Sequence, residues 1–204
     1  MYSARLFTEL GMDILHELDP KGLGEKGKDG FASWFLAVDD PHPPQGPSSL
    51  DYEFQYVLHQ VRHPLVVIAS FAQFILQKGS KSPAFIEKYI PDLKKGLENP
   101  DLTVKQKLIL QAARYWHEWN ILALHKATDT IRLENMEQEL PRLCAALGID
   151  YDADVLMKIS PRTNDRELYV EDEPWVVSWE ELDMLDPDLA NKIRILAQSF
   201  GYHV

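Results

Sequence analysis

One short stretch of the sequence combines the residue types that bind anionic groups. Within Val57–Ser70 (VLHQVRHPLVVIAS), a predicted buried strand ends at Val61, Arg62 follows, and Pro64 stands at a good first position for a helix. Arg62 would then lie at the carboxyl end of a buried strand, where ligands bind in open α/β sheets, beside the N–H groups of a helix N-terminus. A guanidinium fork and the Ser70 hydroxyl at such a place predict a phosphate site. The alternative is an ordinary strand–turn–helix with an exposed arginine.

Start and stop signals along the chain predict the elements that would position this site. Thr103 with Gln106, and Ser178 with Glu181, form capping boxes that begin helices. Helices are predicted over residues 2–10, 65–78, from 82 onward, from 103 to about 126, over 135–147, and from 186 to a stop at Gly201. Strands are predicted over residues 12–15, 54–61 and 130–133. Because strands alternate with helices, the fold class is predicted as α/β, a parallel sheet of about three or four strands flanked by helices.

Composition and charge narrow the function classes. The chain has 204 residues, of which 45% are hydrophobic, so it can bury the core of one domain. The net charge of −11 opposes binding to nucleic-acid phosphates, so no nucleic-acid partner is expected. No membrane partner is expected either, because apolar stretches such as Leu65–Ala72 are far shorter than the ~20 residues that span a bilayer. The single cysteine, Cys144, excludes an intramolecular disulfide, and with no signal-peptide pattern at Met1–Gly11 the expected location is cytoplasmic.

The segment that begins at Arg62 resembles a known nucleotide-binding motif. The pattern Arg62-His63-Pro64, followed by Ser70, resembles the 3′-phosphate-binding segment of sulfotransferases that use PAPS (3′-phosphoadenosine 5′-phosphosulfate). Further segments resemble a bacterial branch of this family in order and spacing: Leu6–Glu17, Asp29–Trp34, Tyr115–Asn120, Ile131–Met136, Thr163–Arg166 and Trp179–Tyr202. The resemblance covers nearly the whole chain, and the Arg62–Ser70 pattern is its most specific part.

The resemblance implies a function and roles for individual residues. It implies a P-loop nucleotide-binding, sulfotransferase-like architecture that transfers a sulfuryl group from PAPS to a hydroxyl or amine acceptor, with carbohydrate among the candidates, and that needs no metal. Arg62 and Ser70 would bind the 3′-phosphate of the cofactor. Glu17, or as second choice His16, would be the catalytic base, because both follow a short predicted strand. The alternative for this pair is a solvated His–Glu pair at the start of a loop.

Two loop arginines are candidates for substrate binding. Arg162 lies in the segment SPRTND and Arg166 directly follows it, and a loop arginine there could meet the cofactor or an anionic acceptor. The alternative is a surface salt bridge with Glu167 or Glu171, which would contribute little energy.

The sequence departs from the family at its beginning. The family's first strand and phosphosulfate-binding loop should directly precede Tyr2, where only Met1 stands. We therefore expect a single sulfotransferase-like domain over residues 1–204 that is N-terminally incomplete, with the first strand and P-loop missing. The alternative is a degenerate, non-catalytic relative that acts as a nucleotide-phosphate-binding or protein-interaction module. An unpaired sheet edge would favour pairing with a second copy of the chain. A nucleotide-dependent kinase is disfavoured, since no Gly-rich loop ends in Lys-Ser/Thr.

Several other conspicuous residues are interpreted as structural. Tyr115, Trp116 and Trp119 form an aromatic stripe at helical spacing, which is typical of core packing, although a substrate cleft remains the alternative. Cys144 lies in the apolar run LCAAL and is predicted to be buried. The histidines at positions 59 and 63 straddle a predicted strand end and Pro64, so they do not share one helix face as a metal pair would.

Overall fold

A computed structural model describes residues 2–16, 29–32, 34–39, 53–75, 82–159 and 173–204. Its α-helices are α1 (Tyr2–Glu9), α2 (Pro64–Ile75), α3 (Ser82–Tyr89), α4 (Val104–Lys126), α5 (Met136–Leu147), α6 (Val155–Lys158), α7 (Trp179–Leu185) and α8 (Pro187–Ser199). Its strands are β1 (Ile14–His16), β2 (Gly30–Ala32), β3 (Leu58–Val61) and β4 (Asp129–Arg132). Short 3₁₀ helices cover Trp34–Ala37, Pro91–Lys94 and Leu133–Asn135. None of these described helices has both the length and the apolarity to cross a bilayer.

The chain is an α/β protein whose contacts divide it into two compact units. The first unit comprises Met1–Leu58, Lys126–Asp129 and Glu134–Glu171, and the second comprises His59–His125, Thr130–Leu133 and Asp172–Val204. The candidate phosphate-binding segment belongs to the second unit, except for its first two residues.

The described strands pair as two small sheets. β1 and β2 are parallel, with Ile14 opposite Gly30 and His16 opposite Ala32, and β3 pairs with β4. The described part of the chain thus differs from the predicted single sheet of about three or four strands. The sequence did not predict β2, because three residues are too few to show the alternation that marks a strand.

Strand β3 is shorter than its predicted range of 54–61. Before Leu58, backbone and side-chain groups share the bonding to the neighbouring segment, and the Val57 carbonyl accepts from the N–H groups of both Thr128 and Asp129, at 2.8 and 3.3 Å. The Val57 N–H donates to the Thr128 hydroxyl at 3.0 Å, and the Tyr56 hydroxyl donates to the Asp129 carboxylate at 2.5 Å. A regular backbone ladder therefore begins only at Leu58, since these bonds occupy polar groups that would otherwise extend it.

In the first unit, two amphipathic helices bury their apolar faces. α1 buries Ala4, Leu6 and Phe7 and packs against β1. α5 buries Met136, Leu140, Leu143 and Cys144, an i, i+4, i+7, i+8 pattern, and ends at Gly148 with φ of 69°. The prediction that Cys144 is buried is confirmed, and this burial raises the pKa of its thiol.

In the second unit, one core joins α2, α4, α7 and α8. Its buried members include Ile68 on α2, Ile109 and Trp116 on α4, Leu182 on α7 and Ile193 on α8. The predicted capping box of Thr103 and Gln106 is confirmed, and Ser178 is confirmed as the cap of α7.

The caps of these helices use short side chains that accept backbone hydrogen bonds. At α4 the Gln106 N–H donates to the Thr103 hydroxyl at 3.2 Å, while the Thr103 N–H donates to Gln106 Oε1 at 2.8 Å. Ser178 accepts from the Glu181 N–H at 3.1 Å and so begins α7. The position of this core therefore follows from signals that act within a few residues of each helix end.

Candidate functional site

The turn between β3 and α2 is the candidate anion site. Val61 ends the strand with 1% of its surface exposed, and the next residue, Arg62, is exposed. The His63 backbone carbonyl accepts the first helical hydrogen bond, from the Val67 N–H at 3.2 Å. Pro64 is the first residue of α2. Proline is favoured at the first position of a helix because its φ suits a helix and its missing N–H is not needed there. The predicted strand–turn–helix is confirmed.

Two sources of positive potential meet at this turn. Among the described residues, the Arg62 guanidinium has no hydrogen-bond or ion-pair partner. The Leu65 and Val66 N–H groups lie in the first turn of α2, where a helix has no acceptors of its own for such donors. The partial positive charge of the helix N-terminus adds to the charge of Arg62. An anion placed here would therefore gain both a bidentate cation and backbone donors.

Ser70 lies further along the same helix. It is half-buried, and at about 100° per residue its direction differs by roughly 160° from those of the buried residues Ile68 and Ala72. Its axial distance from Pro64 is about 9 Å, from six steps of 1.5 Å. Within the described part of the chain, the Ser70 hydroxyl has no hydrogen-bond partner, and none joins it to Arg62. The predicted pair thus shares one strand–turn–helix, with Arg62 at the turn and Ser70 on the helix surface away from the core.

The remaining predicted site residues belong to less completely described regions. His16 is the last residue of β1, and its backbone pairs with that of Ala32. The His16 side chain, Glu17, Arg162 and Arg166 lie outside the described residues.

His59 on β3 forms a buried polar contact that the sequence did not predict. Its Nε2 lies 2.9 Å from Asn120 Oδ1, and the Thr130 hydroxyl lies 3.5 Å from its Nδ1. Burial lowers the pKa of His59, although the hydrogen bond to Asn120 partly opposes this effect. The imidazole is therefore neutral near pH 7 and donates its Nε2–H to Asn120.

His59 thus has a structural role instead of a ligand role. Across the described ranges, no group of three or more His, Cys, Asp or Glu side chains is placed to hold a metal ion.

The aromatic stripe of α4 packs in the core, as predicted. Trp116 and Trp119 expose 2% and 6% of their surfaces. The ring of Tyr115 stacks on Phe71 of α2 with centroids 4.0 Å apart, and burial raises the pKa of its hydroxyl. These contacts attach α2, the helix that carries Ser70, to the long helix α4.

The sequence did not predict which distant residue packs against the β3–α2 turn. The ring of Tyr202, near the C-terminus, meets the His63 ring edge-on, with centroids 5.4 Å apart. The stop signal at Gly201 predicted that the chain changes direction there, but no local signal indicated what the following tyrosine contacts.

No protein-family model, curated protein or solved structure matches this chain. Its function is therefore inferred from the residues of the β3–α2 turn and their surroundings.

Proposed function

We propose that this chain is a sulfotransferase-like protein that binds PAPS, with Arg62 holding the 3′-phosphate and Ser70 donating a second hydrogen bond to the cofactor. One observation carries the proposal: Arg62 is an exposed guanidinium without a described partner at the N-terminus of α2. The sequence resemblance supplies the identity of the ligand, since it assigns this arginine and this serine to a nucleotide 3′-phosphate.

The charge of the chain adds weight to this observation. The protein has 32 acidic residues against 21 lysines and arginines, so carboxylates for ion pairs are abundant. An arginine that pairs with none of the described carboxylates retains its capacity to bind an external anion. Arginine also suits phosphate better than lysine does, because its planar fork donates two parallel hydrogen bonds.

The proposed reaction is an in-line sulfuryl transfer. The acceptor oxygen or nitrogen attacks the sulfur of PAPS, the bond from sulfur to the bridging phosphate oxygen breaks, and 3′,5′-adenosine bisphosphate leaves. The acceptor proton passes to a base, for which Glu17 is the first candidate and His16 the second. The support for these two roles is the resemblance, together with the position of His16 as the last residue of β1 and of Glu17 as the next residue in the sequence.

Calorimetric titration with 3′,5′-adenosine bisphosphate tests the proposed binding site. We expect the chain to bind this nucleotide and Arg62→Ala to weaken the affinity at least tenfold, the usual size of a charge-assisted contact of about 1.5–3 kcal/mol. Ser70→Ala should weaken binding by a smaller factor, about threefold, as for a neutral hydrogen bond.

Lys192→Ala is the matched control for these variants. Lys192 is an exposed cation on α8, so its removal changes the net charge as Arg62→Ala does, but should leave the affinity within a factor of about two. If the parent chain does not bind the nucleotide, or if both cation variants weaken binding equally, the proposal is wrong.

The same arginine supports a second candidate, a non-catalytic relative that binds a nucleotide phosphate. The exposed Arg62 supports binding of the nucleotide phosphate, but it does not support transfer of the sulfuryl group. Turnover of PAPS with carbohydrate, lipid and small-molecule acceptors separates the two candidates. The enzyme is supported if the parent chain releases 3′,5′-adenosine bisphosphate from PAPS. The double variant His16→Ala, Glu17→Ala should then stop this release but still bind the nucleotide. Binding without turnover for any acceptor supports the non-catalytic candidate.

A further inference from the structure

We propose that Tyr202 is a positioning residue that holds the Arg62 turn in place through His63. The inference rests on the proposed function, because it concerns the same phosphate site. It rests on the three residues that follow α8, Phe200–Tyr202, which we call the tail clamp.

The tail clamp begins with a complete C-terminal cap of α8. The Tyr202 N–H donates to the Ala197 carbonyl at 3.0 Å, and the Gly201 N–H donates to the Gln198 carbonyl at 2.8 Å. This pair of bonds is the Schellman motif, which requires a left-handed residue, and Gly201 provides it with φ of 82°. The motif ends the helix and fixes the direction in which Tyr202 leaves it.

Both aromatic residues of the tail clamp contact a histidine near the site. The Phe200 ring lies 5.7 Å from the ring of His59 at an angle of 78°, and the Tyr202 ring lies 5.4 Å from that of His63 at 81°. Edge-to-face pairs at these distances are favourable. The backbone between these histidines, which includes Arg62, is thus held at both ends.

Tyr202 is also held by Arg132, a residue of β4. Arg132 Nη1 donates to the Gly201 carbonyl at 2.5 Å, and the Arg132 guanidinium lies 5.5 Å from the centroid of the Tyr202 ring. Only 8% of the Tyr202 surface is exposed, although the residue lies near the C-terminus. A ring held in this way can transmit a constraint to His63.

The constraint matters because Arg62 itself lacks partners in the described structure. Its guanidinium is exposed, so only the backbone on either side limits where it points. Ordering of a long side chain on binding costs free energy, and a fixed backbone reduces that cost. Loss of the Tyr202 ring should therefore weaken phosphate binding without removing any group that touches the ligand.

The test compares Tyr202→Leu with the conservative variant Tyr202→Phe. In the parent and in Tyr202→Phe, which retains the ring, the amide order parameter of Arg62 from ¹⁵N relaxation should be that of rigid backbone, about 0.85. In Tyr202→Leu it should fall toward about 0.6. Tyr151→Leu makes the same substitution at an exposed tyrosine and should leave Arg62 unchanged.

Nucleotide affinity provides the second readout. Tyr202→Leu should weaken binding of 3′,5′-adenosine bisphosphate about fivefold, the equivalent of one aromatic pair. It should leave binding of 5′-AMP, which has no 3′-phosphate, unchanged. A general loss of structure would weaken both nucleotides alike, and that result would overturn the positioning role.

The two readouts also separate this inference from the proposed function. An Arg62 order parameter that is equal in Tyr202→Leu and Tyr202→Phe overturns the positioning role, whatever the nucleotides do. A lower order parameter in a chain whose parent form binds no nucleotide supports the role of Tyr202 in holding the turn and refutes the proposed ligand.

Discussion

Arg62 and Arg114 lie in the same unit of the molecule and have opposite surroundings. Arg114, on α4, exposes only 10% of its side chain, pairs with the Asp186 carboxylate at 3.5 Å and donates a hydrogen bond to the Lys95 carbonyl. Arg62 is exposed and has neither kind of partner among the described residues. The other two described arginines of this unit resemble Arg114 in being partnered: Arg132 donates to Gly201, and Arg194 donates twice to Asp183.

The difference separates two uses of the same side chain. Arg114 connects α4 to the start of α8 and to the turn at Gly96. Its partner Asp186 caps α8 by accepting from the Leu189 N–H at 3.1 Å, and its other partner, Lys95, precedes that turn. A buried cation must be neutralised, since desolvation without a partner is costly. Arg62 is exposed, so it is subject to no such requirement, and it pairs with none of the residues that the structure describes. An arginine without an internal partner at a helix N-terminus is therefore better explained by an external anion.

Replacement of Arg114 should have the largest effect on stability. Arg114→Met keeps much of the side-chain volume but removes the cation paired with Asp186 and the side-chain donor to the Lys95 carbonyl. We expect the free energy of unfolding to fall by about 2–3 kcal/mol, less than for a fully buried pair, because 32% of the Asp186 side chain is exposed. Urea unfolding followed by circular dichroism measures the change. If Arg114→Met is as stable as the parent, the contrast with Arg62 is wrong.

His59 should make the stability of the chain depend on pH. Burial lowers its pKa in the folded state, so between that value and the unfolded value of about 6.5 the unfolded chain binds the extra proton. Stability should therefore fall as the pH is lowered from 7 through this window, by no more than about 1.4 kcal/mol per pH unit.

The variant His59→Gln isolates this contribution. Glutamine does not titrate, so the difference in stability between parent and variant should shrink as the pH falls from about 7 to 5. Urea unfolding at a series of pH values provides the comparison. A difference that stays constant with pH would mean that burial does not lower the pKa of His59 in the folded chain.

The smallest change should come from Arg62 itself. Arg62→Ala should leave the free energy of unfolding within about 0.5 kcal/mol of the parent, as for other surface substitutions that break no contact. Arg194→Ala, which removes a paired surface arginine that also lies 4.6 Å from the Trp179 ring centroid, should lower stability slightly more. A thermal melt of the three proteins tests this order. A large loss for Arg62→Ala would indicate a structural role and remove the reason to assign it an external anion.

The local signals in the sequence predicted most helix boundaries. Thr103 with Gln106, Ser178 with Glu181, and Asp186 before Pro187 each mark a helix start that the structure contains. These predictions succeed because a cap is an interaction between residues no more than three positions apart. The β3–α2 turn was predictable for the same reason, since the strand signal before Arg62 and the proline after it are local.

Pairings between distant residues were not predictable in this way. The sequence indicated one parallel sheet, whereas the described strands form two pairs, because strands of three or four residues contain too few positions to specify their neighbours. Similarly, Arg62 and Arg114 look alike in the sequence, and only the fold places Asp186 beside one of them.

The sequence alone therefore determined the helix ends, the turn that exposes Arg62 and the apolar faces that form the cores. Only the tertiary structure decided which arginines are neutralised, that His59 donates to Asn120 instead of to a ligand, and that the ring of Tyr202 contacts His63. The physical reason is range: caps and periodicity act over a few residues, while ion pairs and ring contacts depend on how distant segments pack.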